Sequence, residues 1–267
     1  MASDLADRSA AALAAGVAAR TLAARDVVAA CLARIDRANA VLNAVCTLNP
    51  AAMAEAEACD RRLAAGAPAR LLEGVPFLVK DVIPTGGVRT TFGSRLHEAT
   101  IPAEDAVSVA RLRAAGAILL GKTNTPEFAA DVHTTNPLFG PTRNPWDPRA
   151  TAGGSSGGSG AAVAAGMAPL SLGTDFGGSV RLPAAFCGIV GLRPSPGRIP
   201  LHPAEFAWDT LVAHVQGPMT ATVEDAGLML AALAGPDDRD PASLPAEGRD
   251  WAAAGRPRAS LAGRRLA

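Results

Sequence analysis

The chain has 267 residues, 49% of them hydrophobic, and its 25 basic and 25 acidic side chains give a formal net charge of zero. That length holds one large α/β domain or two small ones, and the apolar fraction excludes general disorder. With no net field, nothing in the composition supports a nucleic-acid or anionic-membrane binder.

The N-terminal MASDLADRSAAALAAG places Asp before any basic residue and has no continuous apolar stretch, so no signal peptide is expected. Asp26–Ala40 carries apolar residues at 27, 28, 31, 32 and 35, one face of a helix. NAVCTL then predicts a short strand. Asn49–Pro50 predicts a cap with proline at the first helical position, opening a helix to about Ala65 that Gly66 closes. GVPFLVKDV predicts a strand carrying Lys80, EDAVSVARLRAAG an amphipathic helix ending on Gly116, and AILLGKTN a buried strand. Residues 134–150 are turn-rich, with four prolines in NPLFGPTRNPWDP. After Thr151–Gly166 come a strand (APLSLGTD), a sharp turn (FGGS), and a short helix and further strand (VRLPAAFCGIVGL). Thr222 caps a helix VEDAGLMLAAL that Gly235–Pro236 ends, and a polar stretch rich in Pro, Gly and Arg follows. Helices alternating with short apolar strands predict an α/β fold.

Ala161–Leu172 is too short to span a bilayer. Cys31, Cys46, Cys59 and Cys187 show no CxxC pair and no metal-ligand spacing, which fits buried thiols in a reducing, cytoplasmic setting. Only two lysines, Lys80 and Lys122, stand against twenty-three arginines. Arg stays protonated, whereas a buried Lys can lose its charge and act as a base. Lys80 in an apolar strand points either outward at a sheet edge or inward into a cleft.

TAGGSSGGSGAAVAAG, Thr151–Gly166, has the composition of a flexible linker. It runs, however, into an alanine-rich helix start and then, 24 residues on from Ser155, reaches a second glycine–serine turn at Ser179. A strand between the two turns lets them meet at one end of a sheet. Neither turn matches the glycine spacing of a phosphate cradle. A hydrolytic site fits better. Gly177 and Gly178 before Ser179 expose successive N–H groups without side chains, as an oxyanion hole beside a nucleophile requires. A serine hydroxyl needs a base. His97, His133, His202 and His214 sit in no triad context, so Lys80 is the candidate, with a serine relaying the proton between it and Ser179.

GVPFLVKD, GKTNTPEF, NPLFGPTRNPW, GGSSGGSGAAVAAG and GTDFGGSVRLPAAFCGIVGLRPSPGRI occur in that order, and together they resemble the amidase signature family roughly from Leu13 to Pro241. The resemblance implies a mixed β-sheet core covered by helices. It implies Lys80 as general base, Ser155 as a proton relay within a cis peptide, and Ser179 as the acyl-forming nucleophile. The backbone N–H groups of Phe176, Gly177, Gly178 and Ser179 form the implied oxyanion hole. Ser156 supports the loop by hydrogen bonding, and Asp175 pairs with Arg181 to brace the nucleophile turn. Lys122 packs at a strand end and His133 in a loop. The implied reaction is hydrolysis of a small-molecule carboxamide through an acyl-enzyme, with no metal or cofactor, no nucleic acid and no membrane.

Two positions depart from the family pattern: Ala152 replaces a usual proline, and Phe176 stands where a smaller residue is common. Members of the family are longer, so the C-terminal part of the fold is expected to be missing. The chain is read as one amidase domain, 1–267, ending in a polar connecting tail, 236–267, with LAGRRLA resembling the start of the next strand. An interrupted sheet leaves self-association into a homo-oligomer open. Two alternatives remain: the glutaminase subunit of a tRNA-dependent amidotransferase, which LHPAEFAWDTLVAHVQGPM resembles less than it does general amidases, and an inactive remnant.

Overall fold

The computed structural model of the chain describes residues 5–203, 214–257, 260, 262, 263 and 265. Helices α1 (Ala10–Ala18) and α2 (Ala24–Leu42) precede β1 (Val45–Leu48), α3 (Ala52–Ala64) and β2 (Pro76–Lys80). Then come α4 (Val107–Ala114), β3 (Ile118–Thr123), α5 (Gly157–Ala164), β4 (Leu170–Asp175) and α6 (Arg181–Cys187). The last elements are β5 (Val190–Gly191), β6 (Val215–Thr220), α7 (Val223–Leu233) and α8 (Trp251–Gly255). Residues 204–213 of the LHPAEFAWDTLVAHVQGPM segment, and most of LAGRRLA, lie outside the described residues.

The six strands form one mixed sheet in the order β1-β3-β2-β4-β6-β5. Its centre, β3-β2-β4, is parallel, and the flanking pairs are antiparallel. Every residue of β2, β3 and β4 is buried. Strands buried on both faces carry continuous apolar runs rather than alternation, which is why PFLV and ILL were legible as strands. The predicted α/β class and mixed sheet covered by helices are what the chain forms.

Three elements carried no usable sequence signal. Strand β6 reads VQGPMT, with Gly217 and Pro218 at its centre. It nevertheless pairs with β4 along its whole length and with β5 at Met219 and Thr220. Proline lacks an N–H but keeps its carbonyl, and Pro218 O accepts the Leu192 N–H at 2.9 Å. Helix α1 has a cap at each level of structure: Ser9 Oγ accepts the Ala12 N–H at 3.2 Å, and Asp225 of α7 accepts the Ala11 N–H at 2.9 Å. Helix α8 lies in the polar tail and packs on α7. The Arg198 guanidinium holds this tail, pairing with Glu247 and sitting 5.5 Å over the Trp251 ring.

Helix α5 begins inside the glycine–serine stretch, at Gly157, and is buried from there to Val163. It packs against β1, β3, β2, β4 and β6. Such a flush approach needs residues without side-chain bulk. A β-carbon at Gly158 would sit 2.4 Å from Asn124 N and 2.5 Å from Asn124 O, both backbone atoms at the end of β3. The stretch is therefore a packing surface and not a linker.

A second anchor fixes the entry to β2. Glu73, fully buried, accepts hydrogen bonds from the Arg70 N–H, from the Arg70 guanidinium, from Cys59 Sγ and from Arg62 of α3. Burial alone would raise its carboxyl, but the bonds from Arg70, Arg62 and Cys59 outweigh that and hold its pKa at about 2.

Gly158→Ala should therefore cost at least about 2 kcal/mol, read as a lower urea midpoint with an unchanged slope. The Glu73 carboxyl ionises below the unfolded-state value of about 4.3. The unfolded chain thus binds the extra proton first, and the stability Glu73 contributes is complete above that value and lost as pH falls toward 2. Glu73→Gln should lower the melting temperature at neutral pH and flatten its fall between about pH 4.3 and 2, a difference that thermal scans across acid pH would measure.

Candidate active site

The carboxyl ends of the three parallel strands, at Lys80, Thr123 and Asp175, lie together at one end of the sheet, where α/β sheets form their sites. Strand β2 lies inside the sheet, so Lys80 points inward, with no exposed surface. Its Nζ donates to Ser155 Oγ at 2.6 Å and to Thr174 Oγ1 at 2.8 Å. The register pairs Lys80 with Thr123 and Val79 with Lys122, which puts the two lysines on opposite faces of the sheet. On the Lys80 face, Thr123 Oγ1 and Ser159 Oγ of α5 are hydrogen-bonded at 2.7 Å. On the other, Lys122 donates to Ile83 O, to Thr85 Oγ1 at 2.6 Å and to Thr90 Oγ1 at 3.1 Å. There Asp81 accepts from Thr91, and burial raises its carboxyl pKa against the opposing pull of Lys122.

The two glycine–serine turns meet as their spacing suggests. The Ser156 N–H donates to Ser179 O at 3.1 Å. Ser156 Oγ donates to Thr174 O and accepts the Thr174 N–H, both at 3.2 Å, which locks the first turn to the end of β4. The Gly154–Ser155 peptide is cis. Ser155 is buried, Ser179 is half-buried, and both line a cavity of about 370 Å³ with Thr174, Phe176 and Gly177.

Asp175 organises the nucleophile turn. It accepts the N–H groups of Gly178 at 2.8 Å, Val180 at 3.1 Å and Arg181 at 3.3 Å. The Arg181 guanidinium adds two bonds, at 3.0 and 2.8 Å, and Arg193 approaches to 3.4 Å. Burial raises the Asp175 carboxyl, but these donors prevail and hold it at about 2. Because the Gly178 N–H is engaged with Asp175, the turn faces the cavity through Phe176, Gly177 and Ser179.

Sequence reasoning missed Thr174 as a partner of Lys80, although it lies inside the quoted GTDFGGS. Only the pairing of β2 with β4, Val79 opposite Leu172, brings it there. It also missed the wall of the cavity where Phe128 and Ala129 take left-handed conformations with φ of 51° and 56°. His133 is exposed, and its Nδ1 is 2.8 Å from Thr151 Oγ1; His214, by contrast, lines the cavity. All four cysteines are free thiols, and burial pushes Cys31, Cys59 and Cys187 up to about 12. Among the described residues no cluster of His, Cys, Asp or Glu could hold a metal, and no helix is long and apolar enough to cross a membrane.

Comparison with known proteins identifies the family and the fold. Residues 26–260 match the Amidase family. A glutamyl-tRNA(Gln) amidotransferase subunit from Nitratidesulfovibrio vulgaris (strain DP4) is 48% identical over 252 residues, 94% of this chain and 50% of that protein. The structure of a bacterial aryl acylamidase of the amidase signature family superposes with a TM-score of 0.88 at 37% identity, over 92% of this chain and 51% of that one. The native peptide amidase of Stenotrophomonas maltophilia superposes with a TM-score of 0.85 at 38% identity, over 92% and 52%. The chain spans about half the length of the curated relatives it matches. With its lysine and two serine turns gathered at one end of the sheet, and a family match over most of its length, this chain belongs to the amidase signature family.

Proposed function

We propose that the protein hydrolyses the C–N bond of a small-molecule carboxamide, with Ser179 as nucleophile, Ser155 as proton relay and Lys80 as base. The observation that carries this reading is the 2.6 Å contact between Lys80 Nζ and Ser155 Oγ, beside the cavity that Ser155 shares with Ser179. As a base the Lys80 amine acts in its neutral form, keeping an N–H on Thr174 Oγ1 and turning its lone pair to the Ser155 O–H. Ser155 passes its proton to Lys80 as it takes the proton of Ser179. Ser179 Oγ attacks the carbonyl carbon, and the C=O π pair moves onto oxygen. The N–H groups of Phe176, Gly177 and Ser179 receive that charge, each donor of this kind contributing about 3 kcal/mol. The Asp175–Arg181 pair holds the turn in that shape. As the intermediate collapses, the C–N bond breaks and the proton on Lys80 returns through Ser155 to the leaving nitrogen. Lys80 then takes a proton from water through Ser155 as the water oxygen attacks the acyl carbonyl, and that proton returns to Ser179 Oγ as the ester C–O bond breaks and the acid leaves.

A second reading, the ammonia-producing subunit of a tRNA-dependent amidotransferase, is favoured by the names of the curated relatives. It requires glutamine hydrolysis that depends on a partner subunit. For either reading we place the protein in the cytoplasm, where its four thiols remain reduced.

A fluorophosphonate probe should label the purified chain at Ser179. Ser179→Ala should abolish labelling, and Lys80→Ala should slow it by about 10²–10⁴-fold. A folded chain, shown by a cooperative melt, that takes up no label would overturn the proposal in favour of an inactive remnant.

A further inference from the structure

We infer that the cavity beside Ser179 takes a neutral, apolar acyl group and rejects acyl groups that end in a carboxylate. This rests on the amidase reading above and names its substrate class. Beside the nucleophile turn the cavity is lined by Phe128, Ala129, Ala130 and Val132 from the turn after β3, and by Phe176. Val132 and Phe176 are 63% and 56% exposed, so large apolar surface stands at the mouth where a ligand would cover it. The wall is already in place. The Phe128 N–H donates to Phe92 O at 2.8 Å, and the Phe128 ring meets the His97 ring edge-on at 6.1 Å. A preformed apolar cavity of about 370 Å³ is at the small end of ligand pockets.

Charge supplies the exclusion. Among the described residues lining the cavity there is no Lys or Arg. A carboxylate carried into it would lose water and meet no Lys or Arg among those lining residues. It would instead meet Asp131, whose Oδ1 accepts the His133 N–H at 3.0 Å and which makes no ion pair among the described residues. Exposed at the cavity rim, its negative charge adds a repulsion toward an anionic acyl group that solvent weakens.

The test compares Ser179-dependent nitrophenolate release from three esters: 4-nitrophenyl acetate, 4-nitrophenyl hexanoate and the mono-4-nitrophenyl ester of glutaric acid. The last two have acyl chains of similar length and differ in end charge. Rates are taken at about pH 8, above the ordinary imidazole range, with Ser179→Ala as the subtracted background. Hexanoate should exceed acetate by about fourfold for each methylene that the wall covers, and should exceed glutarate by at least about tenfold. Phe176→Ala should narrow the first ratio. Asp131→Asn should narrow the second by about fivefold, which keeps the test informative if the Phe176 variant fails to fold. Equal Ser179-dependent rates for hexanoate and glutarate would overturn the inference and leave the catalytic reading standing. No Ser179-dependent release from any of the three would overturn the catalytic reading and the inference with it.

Discussion

A lysine amine with no exposed surface, held between two hydroxyls, is the constraint on which the rest of the site depends. An amino group taken out of water costs several kcal/mol unless its hydrogen bonds are replaced. Lys80 finds those partners from two separate directions: Ser155 from the loop before α5, and Thr174 from the end of β4. Neither partner is near it in sequence. The sheet must therefore be assembled, and α5 seated on it, before the Lys80 amine is satisfied. The same assembly brings Ser155 to the cavity that holds Ser179.

Two different kinds of residue make that assembly possible. Glycine lets main chain approach main chain, as at Gly158 against Asn124, where any β-carbon would collide. Buried carboxylates do the opposite work and draw chain segments in. Glu73 gathers Arg70, Arg62 and Cys59 at the entry to β2, and Asp175 gathers three backbone N–H groups and two guanidinium groups around the nucleophile turn. Charged donors are strong enough to keep both carboxyls ionised in spite of burial. Arginine suits this role because its planar fork reaches a carboxylate by two bonds at once, and the chain uses arginine almost to the exclusion of lysine. Both lysines that remain are fully buried, on opposite faces of the sheet at neighbouring strand ends, with hydroxyls around them. Lys80 faces the cavity and its serines. Lys122 ties the loop after β2 to β3.

The proposed reaction centre and the proposed selectivity come from different parts of the fold. Lys80, Ser155 and Ser179 sit on the parallel strands and the turns tied to them. The apolar wall comes from the turn after β3, where Phe128 and Ala129 adopt left-handed conformations. Loops borne on a rigid sheet are where ligand preference varies while the scaffold is kept. That separation fits a family whose structural relatives here include both an aryl acylamidase and a peptide amidase.

The sequence by itself determined the α/β class, five of the six strands, and the helices with strong periodicity such as α2. It also marked Lys80, Ser179 and the Asp175–Arg181 pair, because each lies in a short motif whose residue types have a chemical reason to stand together, while the choice of Ser155 over Ser156 came from the family resemblance. Tertiary structure alone decided the rest. Strand β6 contradicts local strand preference and exists because β4 offers a full ladder of partners. Thr174 joins Lys80 only through the β2–β4 register. The Gly178 N–H, one of four equivalent donors in the motif, is drawn to Asp175 once the turn folds around that carboxylate. The cavity wall joins residues some fifty positions apart, Phe128 and Phe176, and no periodicity in a one-dimensional chain records that they line one cavity. Local motifs carry chemistry that is complete within a few residues, while a contact between distant segments depends on packing that every other segment helps to set.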